Sequence, residues 1–172
     1  VKKIKMSLSV SSIDAAIREV EVYQKWLKSK SKLLLERLAQ EGYQIASANF
    51  SKAVYDGTND AHVSVETRGD NVMAVVAVGA SVLFIEFGTG VTYPDNHPEA
   101  AQNGMRRGEY GQGKGKQTSW GYYGDPGTNG KVRTNGDKAV VITKGNPANM
   151  AMYNTVRQLE QKLHALVKEV FG

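Results

Sequence analysis

Twelve of the chain's 18 glycines and three of its four prolines fall between residues 88 and 136, and this crowding divides the sequence into parts that obey different rules. Before it, apolar residues recur first at helical and then at strand spacing; after it, a strand pattern and a helical pattern return. Within it there is almost no apolar periodicity. Loops longer than about 12–15 residues are uncommon inside compact domains unless they carry function or are disordered. A chain of 172 residues suits one domain with its own core. The pattern therefore predicts a single α+β domain over residues 1–172, in which 91–137 is an extended insertion loop.

The ordered parts can be read in sequence. Ile4, Met6, Leu8 and Val10 alternate with polar residues and predict a short strand over 3–10. Ser11-Ser12-Ile13-Asp14 has the form of a helix start, with Ile13, Ile17, Val20 and Leu27 along one side. Leu34, Leu35, Leu38, Ala46, Phe50 and Ala53 continue the helical pattern beyond the polar run Lys28–Lys32. This predicts one long N-terminal helix, or two in tandem, ending near Val54. The turn residues Tyr55-Asp56-Gly57-Thr58-Asn59-Asp60 follow. Two strands, 61–68 and 72–78, flank Gly69-Asp70-Asn71 as a hairpin. The second is apolar on both faces, which predicts a central place in a small, mostly antiparallel sheet. Residues 138–144 predict another strand. Gly145-Asn146-Pro147 supplies a turn, a cap and a proline at the first position of a C-terminal helix reaching Phe171. The apolar face of that helix is Val156, Leu159, Leu163, Leu166, Val167 and Val170.

The net charge of +5 is unevenly placed: residues 1–54 carry +5, 55–90 carry −4, 91–137 carry +1 and 138–172 carry +3. Opposed ends and middle suit head-to-tail self-association or a charged partner, nucleic acid included. No apolar run approaches the roughly 20 residues that cross a bilayer, and the first residues lack the apolar stretch of a signal peptide, so a soluble, cytosolically made protein with no membrane partner is expected. With no cysteine, the chain has no disulfide and no thiolate chemistry.

Phe84-Ile85-Glu86-Phe87-Gly88-Thr89-Gly90 sets one carboxylate among large apolar groups and then stops at glycines. A carboxylate so placed requires a hydrogen-bond or charge partner. As strand or as short helix, the segment fits either period. Glu86 as a general base would need an acid, a histidine or a nucleophile, and none lies nearby in sequence; Asp56 and Asp60 are the distant candidates. His62, His97 and His164 are scattered and show no metal-ligand spacing. A structural pairing of Glu86 with a cation or a backbone amide is therefore the expectation, with no catalytic residue, metal or cofactor. Gly108-Glu109-Tyr110-Gly111-Gln112-Gly113-Lys114 imitates a phosphate-binding loop but has Gly115 in place of the hydroxyl residue that would hold magnesium. Trp120-Gly121-Tyr122-Tyr123, near Lys114, Lys116 and Lys131, fits a protein-docking loop or a stacking platform for single-stranded nucleic acid.

The order of these marks resembles a known family. A helix, then Tyr55–Asp60, Val63-Ser64-Val65-Glu66, Glu86-Phe87-Gly88-Thr89, Trp120–Tyr123 and Gly145-Asn146-Pro147-Ala148-Asn149-Met150 before a final helix is similar to the tail-completion or head–tail connector proteins of tailed phages. Their best-known sequence mark is Glu-Phe-Gly-Thr. The resemblance spans residues 33–172; the segment from Gly90 to Gly145 is long for the family. It implies a non-enzymatic neck protein of the virion, assembled in the bacterial host cytoplasm as a ring of copies of itself, usually sixfold. Its partners would be tail tube or terminator proteins and head-connector proteins, with DNA passing through the lumen. Glu86, Phe87, Gly88, Thr89, Gly90, Trp120, Tyr122, Tyr123 and Pro147 would then be structural or subunit-interface residues. The other reading is a basic nucleic-acid-binding module that uses the Lys-rich first helix and the aromatic loop.

Overall fold

A computed structural model describes residues 3–93, 97–111, 116–136 and 138–172, and the side chain of Asn135 lies outside that description. Helix α1 spans Val10–Ser51, strands β1 and β2 span His62–Thr67 and Met73–Val78, and helix α2 spans Val82–Phe87. Strands β3 (Trp120–Tyr122), β4 (Lys131–Asn135) and β5 (Lys138–Thr143) precede helix α3 (Ala151–Phe171). The fold is α+β, as the sequence predicts: a long N-terminal helix, small antiparallel sheets and a C-terminal helix.

The N-terminal helix is one rod of 42 residues. Its lysine-rich stretch 28–32 stays helical because Lys28 and Lys32 face water, Lys30 is half-buried, and no glycine or proline interrupts the turn. Its cap is Ser9, whose hydroxyl accepts from the amide of Ser12, two residues before the expected start at Ser11. Helix α3 runs antiparallel along the C-terminal half of α1. Asn49 donates to Thr155 Oγ1 at 3.1 Å, Lys162 pairs with Glu41, Arg37 pairs with Glu169, and Phe171 meets Trp26 edge-on at 6.0 Å. Gly42 marks the closest approach: a Cβ there would stand 2.9 Å from Val75 and 3.1 Å from Leu159. The core gathers Ala46, Phe50, Ala53, Val63, Ile85 and Ala151, and so joins α1, β1, α2 and the start of α3.

Several expectations are corrected. Residues 3–9 form no strand, since no partner strand lies beside them; Met6 is 65% and Leu8 99% exposed, and Val10 already belongs to α1. The side Ile13, Ile17, Val20 and Leu27 is exposed at 38–51%, because α3 ends level with Trp26 and nothing in the described chain lies opposite the first turns. Strand β2 is not central: it pairs with β1 alone, Val63 opposite Ala77 and Val65 opposite Val75, in a two-stranded sheet. The central strand is β5, flanked by β3 and β4. Segment 91–137 is accordingly not one loop, because β3 and β4 give the apolar β5 partners on both edges; Trp120 and Tyr122 stand on a strand. Residues 82–87 are helical. Pro147 does not open α3, which begins at Ala151 after Met150 in a left-handed conformation (φ 53°), because residues 145–149 are occupied in pairing with the corner described below.

Candidate functional site

The first turn of α3 has amides without intrahelical acceptors, and its own cap position, Met150, brings no side-chain oxygen. The acceptor comes from α2. Glu86 Oε2 takes the amide of Met152 at 2.7 Å and Oε1 takes that of Tyr153 at 2.9 Å, a carboxylate set on the positive end of a helix from outside its sequence. Two further bonds tie the helices: the amides of Asn149 and Met150 donate to the carbonyls of Ile85 (2.8 Å) and Glu86 (3.2 Å). The last carbonyls of α2 are thus satisfied by the approach to α3.

Glu86 Oε1 also meets His97 Nε2 at 3.1 Å, both residues being 6% exposed. The other ring nitrogen, Nδ1, accepts the amide of Glu99 at 3.1 Å, which makes Nε2–H the donor to Glu86. Phe87 packs against the imidazole with ring centres 4.3 Å apart, and Tyr153 meets it edge-on at 5.5 Å. The Arg157 guanidinium lies over the outer side of Tyr153 at 5.2 Å. A glutamate and a histidine do meet in space, as a hydrolytic pair would need. Both carboxylate oxygens and both imidazole nitrogens are engaged by the chain itself, and both groups are buried.

The rest of the motif holds the same corner. Gly88 has φ 77°, and a Cβ there would lie 2.7 Å from the amide nitrogen of Ala148. Thr89 and Asn146 exchange backbone bonds at 2.8 and 3.2 Å, and Thr89 Oγ1 accepts from both the amide (2.9 Å) and the side chain (3.2 Å) of Asn146. Asn149 clamps the other side, bonding the amide and the carbonyl of Val54 through its side chain at 2.8 and 2.9 Å. Glu86, Phe87, Gly88, Thr89, Gly90 and Pro147 are therefore brought together. Trp120 reaches the corner through Gly90. Tyr123, 71% exposed, does not.

Beside the corner lies a cavity of about 570 Å³ lined by Tyr55, Asp56, Phe84, Tyr110, Trp120 and Tyr122 among others. Phe84 and Tyr110 stack with centres 5.9 Å apart, and the Tyr110 hydroxyl donates to the carbonyl of Gly88. Asp56 is buried; its Oδ2 accepts from Thr143, its amide donates to Asn146 Oδ1 at 2.5 Å, and its Oδ1 has no partner. Burial pushes its carboxyl above the ordinary range, and the Thr143 hydroxyl opposes that. Burial, followed by the charge of Asp56, pushes the Tyr122 hydroxyl up to about 12. Asp60 does the reverse, held down to about 2 by the hydroxyl and amide of Ser81 and the amide of Ala80. Neither aspartate contacts Glu86.

Sequence reasoning missed His97, Asn146 and Asn149 as partners of the motif. Only the turn signal at 145–147 pointed toward one of them, Asn146. Gln112, Gly113, Lys114 and Gly115 of the phosphate-loop imitation lie outside the described residues. Among the described residues, no group of three His, Asp or Glu side chains could hold a metal ion, and no helix is long and apolar enough to cross a membrane. Comparison with protein-family models, with curated proteins and with solved structures finds no match.

Proposed function

We propose that this chain is a structural, non-enzymatic protein of the neck of a tailed phage or a phage-derived particle. Copies form a ring at the head-proximal end of the tail and join it to the head or its connector. The observation that carries the reading is the closure of the Glu86 corner. Its polar atoms bind the chain itself, so the Glu-Phe-Gly-Thr mark does the work of a joint: it fixes α2, the 145–149 segment and α3 as one piece. Such a joint holds the elements around it in position for contacts with other copies. The resemblance to tail-completion proteins points the same way. So do the basic ends and acidic middle, since a ring requires two unlike faces on each copy. The exposed apolar side of α1 (Ile13, Ile17, Val20) is surface left open for a neighbour.

The test is the mass of the assembled species, by native mass spectrometry or analytical ultracentrifugation, with and without tail tube protein. A sixfold species that binds the ends of tail tubes is the expected result. Tube ends that capture none of the chain, together with DNA binding that falls steeply with salt, would replace this reading with the nucleic-acid one.

A further inference from the structure

Two segments of this chain have sequences that ask for strand partners not found among its described residues. Residues 3–8 alternate Lys3, Lys5 and Ser7 with Ile4, Met6 and Leu8, the pattern of a half-buried strand, yet they lie exposed outside any sheet. Strand β2 is apolar on both faces. Val75 and Ala77 pack toward the core, and Ala74, Val76 and Val78 face the other way, Val78 being 53% exposed. Yet β2 is paired on one edge only, and among the described residues no backbone hydrogen bond reaches its other edge. An open, apolar edge of this kind is a template for one more strand.

Residues 3–8 cannot close this gap within their own chain. Gly42 of α1 packs against Val75 of β2, and 32 residues of helix separate Gly42 from Val10, about 48 Å at the rise of an α-helix. Residues 3–9, fully extended, reach back at most about 25 Å. We propose that Lys3–Leu8 of one copy adds as a strand to the open edge of β2 in a neighbouring copy. The two segments match in length, six residues each. They also match in charge: Lys3 and Lys5 meet the 55–90 region of net charge −4, in which Asp70 stands in the hairpin turn while Glu66 is already paired with Arg68. Donor and acceptor are different surfaces, so the contact is head-to-tail, and α1 is the arm that carries the donor across. The inference deepens the ring reading and rests on it only for the presence of neighbouring copies.

The experiment is a concentration series of the full chain by analytical ultracentrifugation, with amide hydrogen exchange on the same samples. Association should slow exchange in Met73–Val78. Leu8→Asp, at a position 99% exposed in the single chain, should weaken association by about tenfold or more, as loss of a buried anchor does, and leave the fold intact. Val78→Asp should block the acceptor edge. An equimolar mixture of the two variants should then stop at a 1:1 dimer, the only donor–acceptor pair left. A wild-type chain that stays monomeric at every concentration would overturn the inference. So would Leu8→Asp that assembles like wild type; sixfold rings of that variant would leave the ring reading standing. Open chains of wild type protected at β2, with no sixfold species, would uphold the strand exchange and count against the ring.

Discussion

The sequence marks both Glu86, set among large apolar groups, and Leu8, set in an alternating apolar pattern, for burial, and the fold treats them in opposite ways. Glu86 is 6% exposed, with two helix amides and an imidazole on its carboxylate. Leu8 is 99% exposed just before a helix whose first turns outrun the other described elements. The corner is a region whose buried carboxylate and imidazole are paired locally, and the arm is one whose apolar side chains are left exposed by the described residues of the same chain. The difference separates what makes this protein fold from what is left over for another molecule to cover.

The comparison is tested hardest at Glu86. Glu86→Ala leaves two α3 amides and His97 without their acceptor inside a closed site, and the expected loss is about 3–5 kcal/mol of folding stability in a urea titration. Glu86→Gln keeps the shape and one acceptor oxygen but turns an NH₂ group toward an amide donor, for a loss of about 1–3 kcal/mol. If Glu86→Ala unfolded at the wild-type midpoint, the corner would not be what holds α3.

A smaller effect is expected at Thr89→Val, which preserves volume and branching but removes the oxygen that accepts twice from Asn146. The loss should be about 1–2 kcal/mol, within the range for leaving partly buried donors unpaired. Thr89→Ser, which keeps the oxygen, should recover most of it. Equal losses in the two variants would shift the role of Thr89 from its hydroxyl to its methyl group.

The two aspartates near the corner give a pH signature with opposed signs. Asp60 is held down to about 2, below its ordinary 3.8, so its contribution is complete above about pH 4 and is lost as pH falls toward 2. Asp56 has its carboxyl pushed up by burial, so the folded state holds its proton more tightly than the unfolded chain does. The resulting cost to stability sets in as pH rises above the ordinary aspartate range. Asp60→Asn should flatten the acid limb of the melting temperature between pH 4 and 2. Asp56→Asn should raise the melting temperature at pH 7 and have no such effect at pH 3.

Much of the corner's frame was legible in the sequence. The periodicity of α1 and α3 rests on apolar side chains at helical spacing, and the 61–78 hairpin on alternation in 61–68, the turn at Gly69 and the apolar run in 72–78, all local properties. The requirement that Glu86 find a partner was legible for the same kind of reason. Which partner it finds was not, because His97 stands 11 residues on, in a segment without periodicity, and Met152 and Tyr153 contribute main-chain amides that carry no sequence signal. Strands β3 and β4 escaped because Trp120-Gly121-Tyr122 is three residues with a central glycine, and Lys131–Asn135 is mostly polar. The start of α3 was misplaced because its cap is supplied by a residue of another helix. The central position expected of β2 and the strand expected at 3–10 fail together, and they fail at two surfaces that complement each other in length, charge and apolar pattern.

That joint failure makes Leu8→Asp the most discriminating of the small effects. If the Leu8 side chain has no contacts to lose in the single chain, replacing it, 99% exposed as it is, changes folding stability by no more than about 0.5 kcal/mol. The urea midpoint of dilute, monomeric protein should therefore coincide with that of wild type, whereas Glu86→Ala under the same conditions shifts it far to lower urea. A clear destabilisation by Leu8→Asp at concentrations where no association occurs would mean that the segment packs on its own chain. The contrast between the closed corner and the open arm would then be lost, and with it the reason for looking to a second copy.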